Sequence, residues 1–480
     1  MLRYEIFSPK QVVNYLLESI EYYPGAYILN KHFMDNSCGN GQIMVEAVNR
    51  YIQAYIDIHG NYDGLENDIK TYFHGIDIVE DYCSECRDKI YDIVSKYCDI
   101  SKDDIDIKCG NTFFMADEYA GKMDFVVGNP PYIRYHSLSD KDRDYIKTLP
   151  ICRIGLPDVY IAFFEIGMRM LSKYGILSYI TPSSWISSNS GSLFRNKLNM
   201  SGSLKAIIDF EHYQLFDDNV MTYSMITIIE NNDYNEFEYY RFNGKKIEFV
   251  DILHYSTAFS NGKLYLGTKD ELTKVKKIFD NTDSNGIEVK NGFATLGDNI
   301  FMQGFESYMI ERYGEIPETK YSIKCLKAST GDVHDCLFPY NRTGKEVEIA
   351  TIEDLKCDVV YDYIIENKEL LEKRDYDKNW YGFGRSQGIN DISRVKYAVN
   401  TIIKSVGDIK LRECGPDCGV YSGLYILVNN ENIKDSLEYI KSRIESEDFL
   451  SFVKCLKHYK SGGYYNFTSK ELEKFLNFNF

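Results

Sequence analysis

Basic residues are scarce in this chain. Over 480 residues, 55 lysines and arginines face 72 aspartates and glutamates, for a net charge of −17. Surplus acid repels a polyanion, so the total argues against nucleic acid unless the basic residues gather on one face. The charge is unevenly spread. Acids crowd the stretch from Tyr62 to Asp106, whereas from Arg385 to Arg412 six basic residues (Arg385, Arg394, Lys396, Lys404, Lys410, Arg412) stand against Asp391 and Asp408. An acidic shell with one basic face satisfies both observations.

No apolar stretch is long enough to span a bilayer; the most apolar, "VYIAFFEIGM", is short and carries Glu165. The start, "MLRYEIFSPK", lacks the apolar core of a signal peptide, so neither a leader nor a membrane contact is expected. Twelve cysteines lie scattered without a disulfide framework, the pattern of reduced thiols in a cytoplasm. The closest pairs are Cys83/Cys86 and Cys414/Cys418. A zinc site would require both to converge from distant parts of the chain, with the first pair on a helix-like stretch, so no metal is expected.

At this length the chain divides into at least two domains, and its character changes near Phe237. The expected boundaries are 1–236 and 237–480. In the first half, strand-like apolar runs alternate with amphipathic helical ones: "FSPKQVVNYLLESI" with a Ser8-Pro9 start, "AYILNKHFMDNSCGNGQIMVEAVNRYI" and "YFHGIDIVEDYCSECRDKIYDIV". Further strands are read in "KMDFVVGN", "GILSYITP", "LKAIIDF" and "SMITIIE". Such alternation predicts an α/β fold, a mostly parallel sheet covered on both faces, with ligands at the carboxyl ends of its strands.

Every unusual turn of this half falls at such an end. In "DNSCGNGQIMVEAV", Gly39 and Gly41 let the backbone approach a bound molecule, and the following helix points its amides at it. The turn is G-x-G without a third glycine, which a plain strand-to-helix turn also explains. Asp35 ends the preceding strand, suited to a cationic ligand or to a helix cap. Asp77 ends the next strand, 36 positions after Gly41, and an acid there is placed for both hydroxyls of a ribose. The polar segment "HGNYDGLENDIK" accounts for the long gap as an insertion.

The third turn, "DFVVGNPPYIRY", breaks a strand with Asn129, Pro130, Pro131 and Tyr132. The Asn129 amide oxygen and the Pro130 carbonyl are adjacent acceptors, able to hold both hydrogens of an amino group. Gripped so, a ring-conjugated amine turns pyramidal and its nitrogen lone pair is freed. The prolines make the grip rigid, and Tyr132 offers a face for a ring.

Glycine turn, acidic strand end and "NPPY", in that order and preceded by "FSPKQVVNYLL", resemble the S-adenosylmethionine-dependent DNA adenine methyltransferases, in particular the gamma class with a TaqI-like arrangement. The resemblance implies a Rossmann-like methyltransferase domain followed by an α+β target-recognition domain. It implies a cofactor held by Phe7, Ser8, Pro9, Asp35, Cys38, Gly39, Gly41 and Asp77 with its neighbour Ile78. Where the family often places "GD" to contact the cofactor's adenine, this chain reads "KCGNTF", which puts Asn111 and Thr112 there. The turn reads "NSCGNG" where the family often has "PACGSG". The segment "DFEHYQLFDDNVMTYSMITII" would supply a second aromatic, Phe216, against the target base; by its residues alone Phe216 reads as core.

Three stretches resemble the TaqI-like specificity region: "NGFATLGDNIFM", "LFPYNRTGKEV" and "NWYGFGRSQGI". Trp380, Tyr381, Arg385 and Gln387, with Arg394 and Lys396 beyond, are the DNA-contact candidates, since arginine and glutamine read base edges and lysine holds phosphate. Internal loop fastening explains Arg385 and Gln387 equally well. The implied partner is double-stranded DNA, the implied setting a bacterial cytoplasm, and the simplest state a monomer, with a separate restriction endonuclease as a possible companion. No span is left over for the clustered acids and lysine of a fused nuclease. Cytosine-N4 methylation and glutamine methylation of a protein use the same kind of loop and remain the alternatives; a non-catalytic DNA-binding partner would have lost the asparagine loop or the glycine turn.

Overall fold

The computed structural model describes residues 8–216, 222–343, 346–428 and 433–479. Two compact units are present: 1–276 with 455–461, and 277–454 with 462–480.

The first unit is built on nine strands, β1 (Phe33–Asp35), β2 (Phe73–Asp77), β3 (Asp106–Cys109), β4 (Met123–Gly128), β5 (Leu171–Pro182), β6 (Leu204–Asp209), β7 (Ser224–Glu230), β8 (Glu236–Phe242) and β9 (Ile247–His254). They lie in the order β3-β2-β1-β4-β5-β7-β6-β8-β9. β1 pairs parallel with both β2 and β4, and the parallel run extends through β3 and β5. β7 runs antiparallel between β5 and β6. A mixed α/β unit with a large, mostly parallel sheet is therefore what the alternation produces. Strand order reverses at β1, flanked by β2 and β4, the kind of crevice where such sheets take ligands.

The division after residue 236 needs correction. β8 pairs with β6 and β9 with β8, so the sheet continues through residue 254, and the chain returns to this unit at 455–461. Hydrogen bonding of the sheet edge, which composition does not report, carries the unit past the expected boundary.

Helices α1 (Lys10–Glu18), α2 (Gln42–His59), α3 (Leu65–Tyr72), α4 (Glu80–Val94), α5 (Thr112–Met115), α6 (Asp140–Thr148), α7 (Val159–Met170) and α8 (Ser192–Ser201) connect the strands. α2 ends at Gly60, whose φ of 70° is the left-handed cap that glycine provides. The insertion read before Asp77 is thus a turn leading into α3. Phe33, Phe73 and Phe125 lie side by side on adjacent strands and form the centre of the core with Tyr22 and Tyr51.

The second unit holds a four-stranded antiparallel sheet ordered Ile287–Asn291, Leu424–Val428, Lys396–Val399, Leu411–Cys414, and a three-stranded one ordered Val333–Leu337, Ser322–Lys327, Cys418–Tyr421. Its core is aromatic. Phe383 stacks on Phe293 at 4.5 Å and packs against Phe301, Phe338 and Tyr340. Phe293, Phe338 with Tyr340, and Phe383 belong in turn to the three stretches singled out in the sequence, which converge on one ring cluster.

Candidate active site at the carboxyl ends of the strands

The three turns of the first unit meet where β1, β2 and β4 end. Gly39 and Gly41 both adopt positive φ, 50° and 87°, and the Cys38 carbonyl accepts from the Gly41 amide at 2.9 Å. Gly41 has a second constraint. A Cβ there would stand 2.7 Å from Cys86 Sγ, so side-chain-free backbone is what lets α2 start against α4. The Cys38 amide donates to the Ile76 carbonyl at 3.0 Å, fastening the turn to β2.

Asp77 completes that fastening. One carboxylate oxygen accepts from the Gly39 amide at 2.9 Å and the other from the Val79 amide at 3.0 Å. Burial raises its pKa, against the pull of these amide bonds. Ile78 follows directly and is 66% exposed, an uncovered apolar face beside the acid.

Asp35 lies deeper. It is 1% exposed, burial pushes its carboxyl up to about 8, and the bond from the Ser37 amide at 3.1 Å only partly offsets this. A Cβ on Gly128, the residue before Asn129, would come within 3.3 Å of Asp35 Oδ1 and 3.5 Å of Ser37 Oγ. The glycine thus leaves β4 open toward the acid. Ser37 Oγ is buried with no hydrogen-bond partner among the described residues, a polar group of the kind a ligand satisfies. Sequence reasoning missed Ser37, and likewise Asn36, whose Oδ1 accepts from the Tyr179 hydroxyl at 2.9 Å and whose carbonyl accepts from Thr112 Oγ1 at 2.7 Å. Neither residue type carries a distinctive pattern.

The asparagine loop is held from two sides. Asn129 Nδ2 donates to Ser8 Oγ at 3.3 Å, which brings the "FSPK" segment against "NPPY". Ser8 does not cap α1. Pro9 occupies the cap position and the Ser8 hydroxyl is turned to Asn129 instead. Pro130 is buried and Pro131 half-buried. The Tyr132 hydroxyl donates to the Ile180 carbonyl at 3.4 Å, and burial raises its pKa. Tyr132 and Phe216 meet edge to face, ring centroids 6.3 Å apart at 84°, so the two rings are neighbours and not parallel walls. Phe7 lies outside the described residues.

Other expected contacts need correction. Asn111 stands where the resemblance sets a contact to the cofactor's adenine, and its amide oxygen accepts from the Phe113 amide at 2.9 Å and starts α5. The Thr112 hydroxyl is spent on Asn36. In the second unit Tyr381 is 2% exposed, with its hydroxyl on the Ala350 carbonyl at 2.7 Å. Lys396 is 1% exposed and its ammonium donates to the carbonyls of Asp391, Ile392 and Arg394. Aromatic and cationic types that favour an interface serve here as core and as loop anchor. Arg385 is exposed on a backbone bridge to Ala294, and Gln387 is exposed while its amide donates to the Gly292 carbonyl at 3.1 Å. Trp380 is half-buried, and Arg394 pairs with Asp391 at 3.2 Å. Half-buried Arg374 was not foreseen; it donates to the carbonyls of Thr295, Trp380 and Gly382 and so sets the path of this loop.

Residues 59–216, a span holding Asp77, "NPPY" and Phe216, match the sequence model of the Eco57I restriction-modification methylase family. The chain is similar in sequence to proteins named Type II methyltransferases. It is 21% identical to the Type II restriction enzyme and methyltransferase RM.Eco57I of Escherichia coli, over 92% of this chain and 53% of that protein. It is 25% identical to the Type II methyltransferase M.XhoI of Xanthomonas vasicola, over 47% of this chain and 42% of the other. The chain thus spans about half the length of these relatives. Among solved structures, the Type IIL restriction-modification enzyme MmeI, determined in complex with DNA, superposes with a TM-score of 0.63 at 13% identity, covering 96% of this chain and 63% of MmeI. At that identity the likeness is one of fold. No helix among the described residues is long and apolar enough to cross a membrane.

Proposed function

We propose that the protein is a sequence-specific DNA adenine methyltransferase of the gamma, TaqI-like class, which transfers a methyl group from S-adenosylmethionine to the N6 amino group of an adenine flipped out of duplex DNA. The observation that carries this reading is the convergence of the Asp77-fastened glycine turn and the Ser8-oriented Asn129 on one crevice. Relatedness to Type II methyltransferases supports it.

The residues present fit the cofactor. Asp77 suits a ribose, Ile78 an adenine face, and buried Asp35 a positive charge. Bound there, the cofactor supplies an electrophilic methyl group on a sulfonium. The remaining work falls to the chain. The Asn129 amide oxygen and the Pro130 carbonyl accept from the target amino group, which concentrates its lone pair on nitrogen. Ser8 holds the Asn129 amide in orientation by accepting from its Nδ2. Tyr132 and Phe216 border the base, with the Phe216 edge opening to admit it. The prolines keep the acceptors in place without a conformational search. The transfer is direct, so no cysteine nucleophile is needed, and Cys38 packs against Cys86.

The second unit is proposed as the target-recognition domain, docking on double-stranded DNA through Trp380, Arg385, Gln387 and Arg394, with one such region per monomer. The test is incubation with S-adenosylmethionine and unmethylated genomic DNA, followed by single-molecule sequencing, with Asn129→Ala as control. N6-methyladenine at one short motif, absent in the control, is the expected result. Marked cytosine instead of adenine contradicts the base assignment, and unmarked DNA with intact cofactor binding contradicts the DNA substrate.

A further inference from the structure

The strand end that the resemblance sets against the cofactor's adenine is partly engaged within the chain, with one acceptor direction of the Asn111 oxygen and one of its amide hydrogens taken. Asn111 follows β3, whose last residue, Cys109, pairs in register with Asp77, and the Gly110 amide donates to the Asp77 carbonyl at 2.8 Å. Asn111 therefore follows directly on backbone that is paired with the end of β2 at Asp77. Its oxygen faces the start of α5, and its Nδ2 donates to Asp142 Oδ1 at 2.8 Å, 31 positions along the chain.

Asp142 lies in the first turn of α6, half-buried and held in place. Ser139 caps that helix, and its hydroxyl accepts from the Asp142 amide at 3.2 Å while donating to Asp142 Oδ2 at 2.6 Å. Each carboxylate oxygen takes one of these bonds, and an ionised carboxylate has about four acceptor directions in all. Acceptor capacity thus remains on a side chain whose orientation is fixed from both sides. The two helices that carry the pair are locked together, since Phe113 of α5 stacks on Tyr145 of α6 with centroids 5.3 Å apart at 16°. On the Asp77 side stands the exposed Ile78. An apolar face, a ribose acid and a fixed carboxylate reached through Asn111 form the set of groups an adenosine needs, the last as acceptor for its exocyclic amine.

We propose that Asp142 is the residue that reads the amino group of the cofactor's adenine, with Asn111 as its positioning residue: the acid expected at the strand end is supplied from α6. This rests on the cofactor reading given above and adds to it a selectivity determinant. Asn111 acts through Asp142, by presenting an N–H that aims the carboxylate.

The test compares binding of S-adenosylhomocysteine and its 6-oxo counterpart, S-inosylhomocysteine, to the full chain by calorimetry. The inosine ring carries an oxygen where the amine was, so it lacks the donor and repels the carboxylate. Wild-type protein should prefer the adenosyl ligand by roughly tenfold or more, the scale at which a polar group left without its partner tells in binding. Asp142→Ala should weaken the adenosyl ligand and strengthen or leave the inosyl one, which flattens the preference. Asp142→Asn keeps the Ser139 contact and an acceptor oxygen, and should retain part of it. Undiminished preference in Asp142→Ala overturns the assignment and leaves the cofactor reading intact. Failure of the wild type to bind either ligand overturns both.

Discussion

The Asp77 carboxylate accepts a hydrogen bond from the Gly39 amide at 2.9 Å, so the acid proposed for a ribose also ties the glycine turn to the end of β2. One side chain thus shapes the cofactor crevice and contacts what fills it. Asp77→Ala removes both. Cofactor affinity should fall by about tenfold or more, since a hydrogen bond to a charged group contributes about 1.5–3 kcal/mol. Asp77→Asn, which retains an acceptor for Gly39, should fall less. Titration calorimetry distinguishes them, and equal affinities across the three proteins would remove Asp77 from the site.

Asp35 makes stability depend on pH in a definite sense. Burial raises its carboxyl from the ordinary range to about 8. A raised folded-state pKa means that the folded protein holds a proton that the unfolded chain has released. Its stabilising contribution is whole below the ordinary aspartate range of about 4 and is lost as pH rises through about 8. Urea midpoints of the free protein should therefore decline over that window more steeply than those of Asp35→Asn, which has no proton to lose. Parallel pH profiles would contradict the buried-acid reading. Cofactor affinity should move the opposite way, rising toward pH 8 as the carboxylate forms to meet a cation.

How much of this was legible follows from how local each feature is. Gly39 and Gly41, Asp77 and the Asn129 loop are announced by residue type, because backbone conformation and strand-end position fix their chemistry within a few positions. What escaped depends on contacts across long separations. Ser8 meets Asn129 from 121 positions away and Asn111 meets Asp142 from 31. The strands β8 and β9 extend a sheet whose edge no composition marks, and the segment 455–461 returns to the first unit. Tyr381 and Lys396 carry the residue types of an interface and are buried, since an aromatic ring fills a core and an ammonium bonds carbonyls as readily as it meets DNA.

That return segment carries an ion pair sealed from water. Asp209, fully buried at the end of β6, accepts from the hydroxyls of Tyr459 at 2.6 Å and Tyr239 at 3.2 Å, and lies 3.3 Å from the Lys457 ammonium. Removing one partner of such a pair leaves the other charge stranded, at about 3–5 kcal/mol. Lys457→Met should lower the urea midpoint accordingly. A midpoint within error of wild type would show the pair to be dispensable.

Exposed Arg385 and buried Lys396 should separate in DNA binding. Arg385→Ala is expected to weaken binding to the target duplex by about 1–3 kcal/mol with discrimination between sites reduced, and to leave thermal stability unchanged. Lys396→Met removes donors from three carbonyls and should lower stability instead. Fluorescence anisotropy at several salt concentrations, beside thermal unfolding, reads both. A drop in stability for Arg385→Ala with discrimination unchanged would make it a loop fastener.

The most direct test of the account separates the Asn129 grip from the cofactor crevice. Cofactor dissociation constants and single-turnover methyl transfer to target duplex, measured with radiolabelled S-adenosylmethionine, are compared for wild type and Asn129→Ala. Transfer by Asn129→Ala should fall by a factor of about a hundred or more, the scale for loss of one preorganised polar contact to the reacting group, with cofactor affinity within a few-fold of wild type. Transfer at the wild-type rate, or loss of cofactor binding in step with transfer, would contradict it.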